Sequence, residues 1–158
     1  MSAHYELISR YERGIETFDK ALEGVSPDLL NRAPAPGKWS IRQLAIHVAE
    51  SEMVGCVRLR FIAAEPGSPL KAYDQDKWAN LLGYEQQDPA QARALFRAVR
   101  QATAAMLRTL PLAAWENIGM HEERGAVSLR EMVELLTRHA EHHSQQIRHL
   151  REQFASVA

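Results

Sequence analysis

Apolar positions recur at intervals of three and four over four long stretches of the chain, and no run alternates convincingly with a period of two. In the first stretch Ile8, Tyr11, Ile15, Phe18, Leu22 and Val25 form one stripe, the seam expected of a bundle helix. Pro27 cannot continue a helix, so this one is expected to stop near Val25. After the connector APAPGKW, the run Ser40-Ile41-Arg42-Gln43 reads as a capping box, in which Ser40 and Gln43 satisfy backbone donors at a helix start. The second helix then carries Ile41, Leu44, Ala45, Val48 and Gly55 on one side and ends near Ala64, before Glu65-Pro66-Gly67. Residues 65–87 form the longest connection, with a short helix expected in DQDKWANLLGY. Asp88 and Pro89 suit the cap and first position of the third helix, whose expected buried side is Leu95, Phe96, Val99, Ala102, Met106 and Leu110. Pro111 stops it. Residues 112–127 read as irregular. A second capping box, Ser128-Leu129-Arg130-Glu131, opens a fourth helix that reaches about Phe154.

Four amphipathic helices, a long connection between the second and third, and no substantial sheet predict an all-α protein. The expected architecture is a four-helix bundle formed as a single domain over residues 1–158.

Composition narrows the partners. Nineteen basic residues against twenty acidic ones give a formal charge of −1, so no global field favours nucleic acid or anionic lipid. No stretch approaches the roughly 18 apolar residues of a membrane span. Cys56 is the only cysteine, which excludes an intrachain disulfide. With no signal-peptide pattern at the N-terminus, a cytoplasmic location is expected. Cys56 itself reads as a small core residue.

The chemistry is concentrated in imidazole. Four of the seven histidines lie within residues 138–150. On a helical wheel His139 and His143 fall in the middle of the apolar arc of Met132, Leu136, Ile147 and Leu150, stacked one turn apart. His142 falls at the margin, His149 further out, and Glu141 points away. The run HAEHH lacks the glutamate directly after the first histidine that an H-E-x-x-H metalloprotease requires. On the second helix His47 faces inward with Leu44 and Val54. Neutral imidazole is a ligand for zinc, nickel and iron, and a buried ring nitrogen without a partner costs about 1–3 kcal/mol. A shared ion would satisfy three such rings; so would hydrogen bonds in a packed core, and the wheel leaves both open. Three protein ligands with an open position is the pattern of a catalytic metal site. Gln146 is expected inward beside the pair, as a hydrogen-bonding support. His4 is expected at the surface, and so is His121, for which entry into a pocket is the alternative. Tyr73, Asp74 and Asp76 in the long connection are candidates to orient a bound water or act as base. For the two aspartates the alternative is capping of the short helix. Glu50 is expected to be solvated, and Trp39 and Trp78 to plug the bundle.

The segments GKWSIRQLAIHVAESE, KAYDQDKWANLLGY and RHAEHHSQQIRHL, in this order, resemble the DinB/YfiT-like superfamily, above all its YfiT branch. The resemblance runs from about Glu6 to Leu150. It implies an up-down-down-up four-helix bundle with three histidines on a divalent metal ion at one end, which map here onto His47, His139 and His143. Zinc or nickel is the first expectation for the ion, iron or manganese the next. It also implies hydrolysis, or S-transfer and isomerisation with thiols such as bacillithiol or mycothiol, and frequent homodimers. The expected activity is therefore activation of a metal-bound water or low-molecular-weight thiol toward an electrophilic small molecule. The alternative is a non-catalytic metal- or ligand-binding stress or sensor protein of the same fold.

Overall fold

The structure, a computed structural model, describes residues 3–156. Helix α1 (Ala3–Leu22) buries Ile8, Tyr11, Ile15, Phe18 and Leu22, the stripe read from the periodicity. It ends before Val25 because Gly24 turns at φ +69°, a conformation that only glycine adopts freely. Pro27 does more than stop a helix. Ser26 caps a short α2 (Pro27–Asn31), where the fixed φ and missing N–H of proline suit the first position.

Helix α3 (Ile41–Ala64) starts at the expected capping box: the Gln43 N–H donates to Ser40 Oγ at 3.2 Å and the Ser40 N–H to Gln43 Oε1 at 2.9 Å. Its connection to the next long helix holds strand β1 (Pro69–Leu70) and helix α4 (Gln75–Leu81), capped by Asp74. Helix α5 (Pro89–Thr109) is capped by Asp88, and α6 (Leu129–Ala155) begins at the second capping box. Residues 112–127 are not irregular. A 3-10 turn (Leu112–Glu116) leads into a hairpin of β2 (Ile118–His121) and β3 (Gly125–Ser128). Strand β1 pairs parallel to β2, giving a small sheet in the order β1-β2-β3. Strands of two and four residues are too short for a period of two to stand out in a sequence.

The four long helices form the bundle. Helix α1 packs against α5 and α6, and so does α3. Helices that follow one another in the chain, α1 then α3 and α5 then α6, lie on the diagonals, so the connections on either side of residues 65–88 are long as well.

The inward side of α5 differs from the expected one. Ala92, Phe96, Arg100, Thr103, Ala104 and Leu107 are buried, whereas Leu95 and Ala102 are exposed. The true stripe has regular three-four spacing, but its centre is an arginine, which a hydrophobic pattern counts as surface. Arg100 is fully enclosed between two apolar clusters. Its Nε donates to Glu52 Oε2 at 3.0 Å, its Nη2 to the Leu136 carbonyl at 2.8 Å, and its Nη1 to the Tyr11 carbonyl. The Tyr11 hydroxyl donates to the other oxygen of Glu52. The rings of Tyr11 and Phe96 cover the guanidinium at 4.2 and 4.6 Å. Gly14 leaves the space: a Cβ there would lie 2.0 Å from Arg100 Nη1. One side chain thus ties together all four long helices. Among the described residues no helix is long and apolar enough to cross a membrane.

Candidate metal centre

Residues 47, 51, 55 and 58 fall on one face of α3, spaced by four, four and three. That face meets α6 closely at Gly55, where a Cβ would lie 2.3 Å from Leu136 Cδ2. Two turns earlier on α3, His47 meets His139 and His143. The Nε2 atoms of His47 and His139 are 3.0 Å apart. The three ring centroids are separated by 5.0, 5.0 and 4.5 Å, and one nitrogen from each ring lies within 4.8 Å of the others. The His143 Nδ1–H donates to Gln146 Oε1 at 2.9 Å, which leaves the lone pair on Nε2. Gln146 does supply a hydrogen bond, but to His143 alone, and it is exposed rather than inward-facing. His47 packs under Trp39 at 4.8 Å, and its Nδ1 is buried without a partner.

Burial, then the nearby His143, pushes His47 down to about 3; burial and the neighbouring histidines push His139 down to about 3. His143 is also lowered by burial, partly offset by its bond to Gln146. All three rings are therefore neutral near pH 7, the form that ligates metals. Crowded lone pairs on neutral imidazoles, one supported by an amide oxygen, fit a divalent cation, and this donor set could hold one.

His47 and His139 line a cavity of about 590 Å³, with Ser51, Arg58, Tyr73 and His121 among its other walls. The Tyr73 hydroxyl is hydrogen-bonded to Ser51 Oγ, and its ring lies against Trp78 at 4.3 Å. Burial raises the Tyr73 phenol, the Ser51 bond and Arg58 opposing it. Asp74 reaches the rim of the cavity, but its carboxylate caps α4, accepting from the Lys77 and Asp76 N–H groups at 3.0 and 3.1 Å. Those bonds hold it below the usual carboxylate range, which makes it a weak base. Asp76 is exposed in the first turn of α4 and does not line the cavity. His142 is exposed on the rim, outside the group of three, and His149 is exposed.

Four expectations are corrected. His121 is not at the surface: it is 6% exposed, because on β2 it points inward with Gly119 while Ile118 and Met120 point out. His4 is half-buried, edge-on to Trp115 at 4.7 Å, and accepts from Arg130. Glu50 is half-buried and accepts the Tyr84 hydroxyl at 2.7 Å. Cys56 is half-buried rather than core; its thiol donates to the Met53 carbonyl and burial raises its pKa. Trp39 and Trp78 do pack, partly buried, against the core. Ser51 and Arg58 are cavity residues beyond the sequence expectation, and His121 takes the pocket position that was its alternative there. Spacing from His47 carried the first two; the alternation Ile118-Gly119-Met120-His121 carried the third.

The chain is similar to several known proteins. It is 28% identical over 142 residues to "Putative metal-dependent hydrolase OB0782" of Oceanobacillus iheyensis, covering 87% of this chain and 81% of the relative. It is 26% identical over 125 residues to YfiT of Bacillus subtilis, which bears the same description, covering 78% and 70%. A solved structure of that YfiT, presented as a probable metal-dependent hydrolase with an unusual four-helix bundle topology, superposes with a TM-score of 0.91 at 23% identity over 98% of this chain and 90% of its own. A mycothiol-dependent maleylpyruvate isomerase shares the fold at a TM-score of 0.75 and 15% identity, over 92% of this chain and 61% of its own. The model of the DinB superfamily matches residues 10–147, nearly the whole bundle with all three clustered histidines, and the chain belongs to that superfamily.

Proposed function

We propose that His47, His139 and His143 hold a divalent ion, zinc or nickel by preference, and that the protein is a metal-dependent enzyme acting on an electrophilic small molecule. The observation that carries this reading is the convergence of three neutral imidazoles, from two helices, beside a cavity large enough for a small substrate. Bound there, the ion would supply Lewis acidity and lower the pKa of a water or thiol beside it. The chain's own residues do the rest. Gln146 fixes the tautomer and tilt of His143. Trp39 covers His47 and excludes water from its rear. Tyr73 and Ser51 place two hydroxyls on the cavity wall, where either can donate to, or accept from, the reacting group. Tyr73 is the better placed of the three candidates for proton transfer, since Asp74 is committed to its cap and Asp76 lies outside. The mycothiol dependence of a fold relative supports a low-molecular-weight thiol as cosubstrate, with S-transfer as the reaction; hydrolysis is the other outcome of the same activation.

Elemental analysis of protein purified without a histidine tag tests the ion. One equivalent is expected in the wild type and in His149→Ala, and none in His47→Ala or His143→Ala. No metal after supplying zinc, nickel and iron, or equal loss from His149→Ala, would refute the assignment. Turnover of a thiol and electrophile panel by loaded protein, absent after chelation, tests catalysis.

A further inference from the structure

Arginines in this protein mostly direct their donors at the protein itself. Arg100 places Nε, Nη1 and Nη2 on three acceptors; Arg93 and Arg97 share Asp19; Arg42 reaches Asn31 and the Gln87 carbonyl. Arg58 is the contrast. Its half-buried guanidinium makes one hydrogen bond, from Nη2 to the Lys71 carbonyl, and its Nε is shut off from water with no acceptor. Four of the five N–H groups of the fork are left without a partner among the described residues. No carboxylate of the described residues forms an ion pair with it. The acidic neighbours are otherwise placed: Glu122 accepts the Ala72 N–H, Asp74 caps α4, and Glu123 is exposed.

Arg58 lies three turns beyond His47 on the same face of α3 and lines the same cavity as His47 and His139. Tyr73 flanks it at 5.9 Å. Arg124, from the turn between β2 and β3, adds to the same wall a second cation with no ion pair among the described residues. His121 brings a directed donor. Its Nδ1 accepts the Glu123 N–H at 3.2 Å, which puts the ring hydrogen on Nε2, an atom with no hydrogen bond to any of the described residues.

We propose that this part of the cavity is an anion subsite. Arg58, with the His121 Nε2–H on the wall of the same cavity, holds a carboxylate or phosphate group of the substrate or cosubstrate whose reactive end lies at the three histidines. The guanidinium fork matches such an anion in shape and charge, and charge-assisted hydrogen bonds are the stronger kind. The purpose of the subsite rests on the proposed metal centre; its ability to bind anions does not.

The test is therefore made on full-length protein stripped of metal, labelled at histidine ring nitrogens, with succinate, inorganic phosphate and the neutral analogue succinamide as probes. Saturable shifts at His121 are expected with succinate or phosphate and none with succinamide. Whichever anion binds more tightly identifies the group. Arg58→Gln should weaken binding at least tenfold and Arg58→Lys several-fold, while Arg148→Gln, on an exposed position away from the cavity, should change it less than twofold. Circular dichroism melts establish folding of each variant. If Arg58→Gln does not fold, Arg58→Lys and His121→Phe decide, each being expected to weaken binding; for His121→Phe, which lacks the reporting ring, affinity is read by isothermal titration calorimetry with the same anions. No shift with either anion, or affinity unchanged in every folded Arg58 or His121 variant, overturns the proposal. Metal content is measured alongside. Arg58→Gln should still take up one equivalent, and a wild type that binds succinate through Arg58 but takes up no metal would sink the metal centre and leave the subsite standing.

Discussion

Replacing Arg100 by methionine removes the only cation, among the described residues, that pairs with Glu52, a carboxylate 2% exposed. Methionine refills most of the stem volume between Tyr11 and Phe96, so the loss is chiefly electrostatic. Glu52 would keep the Tyr11 hydroxyl and lose the guanidinium, while the carbonyls of Tyr11 and Leu136 would lose a charged donor. Breaking a buried pair from one side costs about 3–5 kcal/mol, out of a total stability of about 5–15 kcal/mol for a typical domain. At about 2–4 °C per kcal/mol for a chain of this size, the midpoint should fall by roughly 6–20 °C. The deficit should depend on pH. Burial already raises the Glu52 carboxyl above its ordinary value of 4.5 and Arg100 opposes this, so losing Arg100 raises it further. A carboxyl whose folded pKa is raised leaves the folded state with the extra proton, so its stabilising contribution is present below pH 4.5 and lost as pH rises through the folded value. Arg100→Met should therefore come nearest to the wild type at pH 4.5 and fall furthest behind at pH 7 and above. The double variant Arg100→Met/Glu52→Leu should recover most of the loss, because neither charge is then left unpaired. Urea unfolding followed by circular dichroism at both pH values measures all of this. A loss below about 1 kcal/mol at pH 7, or a double variant less stable than the single one, would refute the reasoning.

Gly55→Ala puts a methyl group 2.3 Å from Leu136 Cδ2 and should destabilise by about 1–3 kcal/mol through overpacking; adding Leu136→Ala should remove the clash, which a double-mutant cycle of thermal melts detects. Zinc or nickel added to stripped protein at about 100 times its Kd should raise stability by about 2.7 kcal/mol, with no change in the melting of His47→Ala. Without metal, the buried neutral rings of His47 and His139, at about 3 against 6.5 for a free imidazole, contribute stability that is complete above pH 6.5 and lost as pH falls toward 3. The loss should approach about 1.4 kcal/mol per pH unit for each ring, and His47→Asn should flatten the profile measured by urea unfolding. Ser128→Ala removes the cap of α6 and should cost about 1 kcal/mol in the same assay.

Local rules made much of this protein legible in its sequence. Both capping boxes, the Asp88–Pro89 start and the stripe of α1 depend on residues within a turn or two of one another, and each appears as read except Val25, which lies beyond the end of α1. The inward aim of His47, His139 and His143 follows from the same short-range periodicity. What tertiary structure decided is where distant residues meet. That His47 lies 3.0 Å from a ring 92 residues away depends on the packing of α3 against α6, with Gly55 admitting Leu136. Arg100 faces the core only because Glu52, Tyr11 and Leu136 supply acceptors from three other helices, and a pattern of apolar residues has no mark for a charge satisfied that way. His121 turns inward because β2 has β1 and β3 to pair with, although each strand alone is too short to hold its shape. Periodicity reports which way a side chain leans from its own element; the partner it meets is set by contacts between elements far apart in the chain.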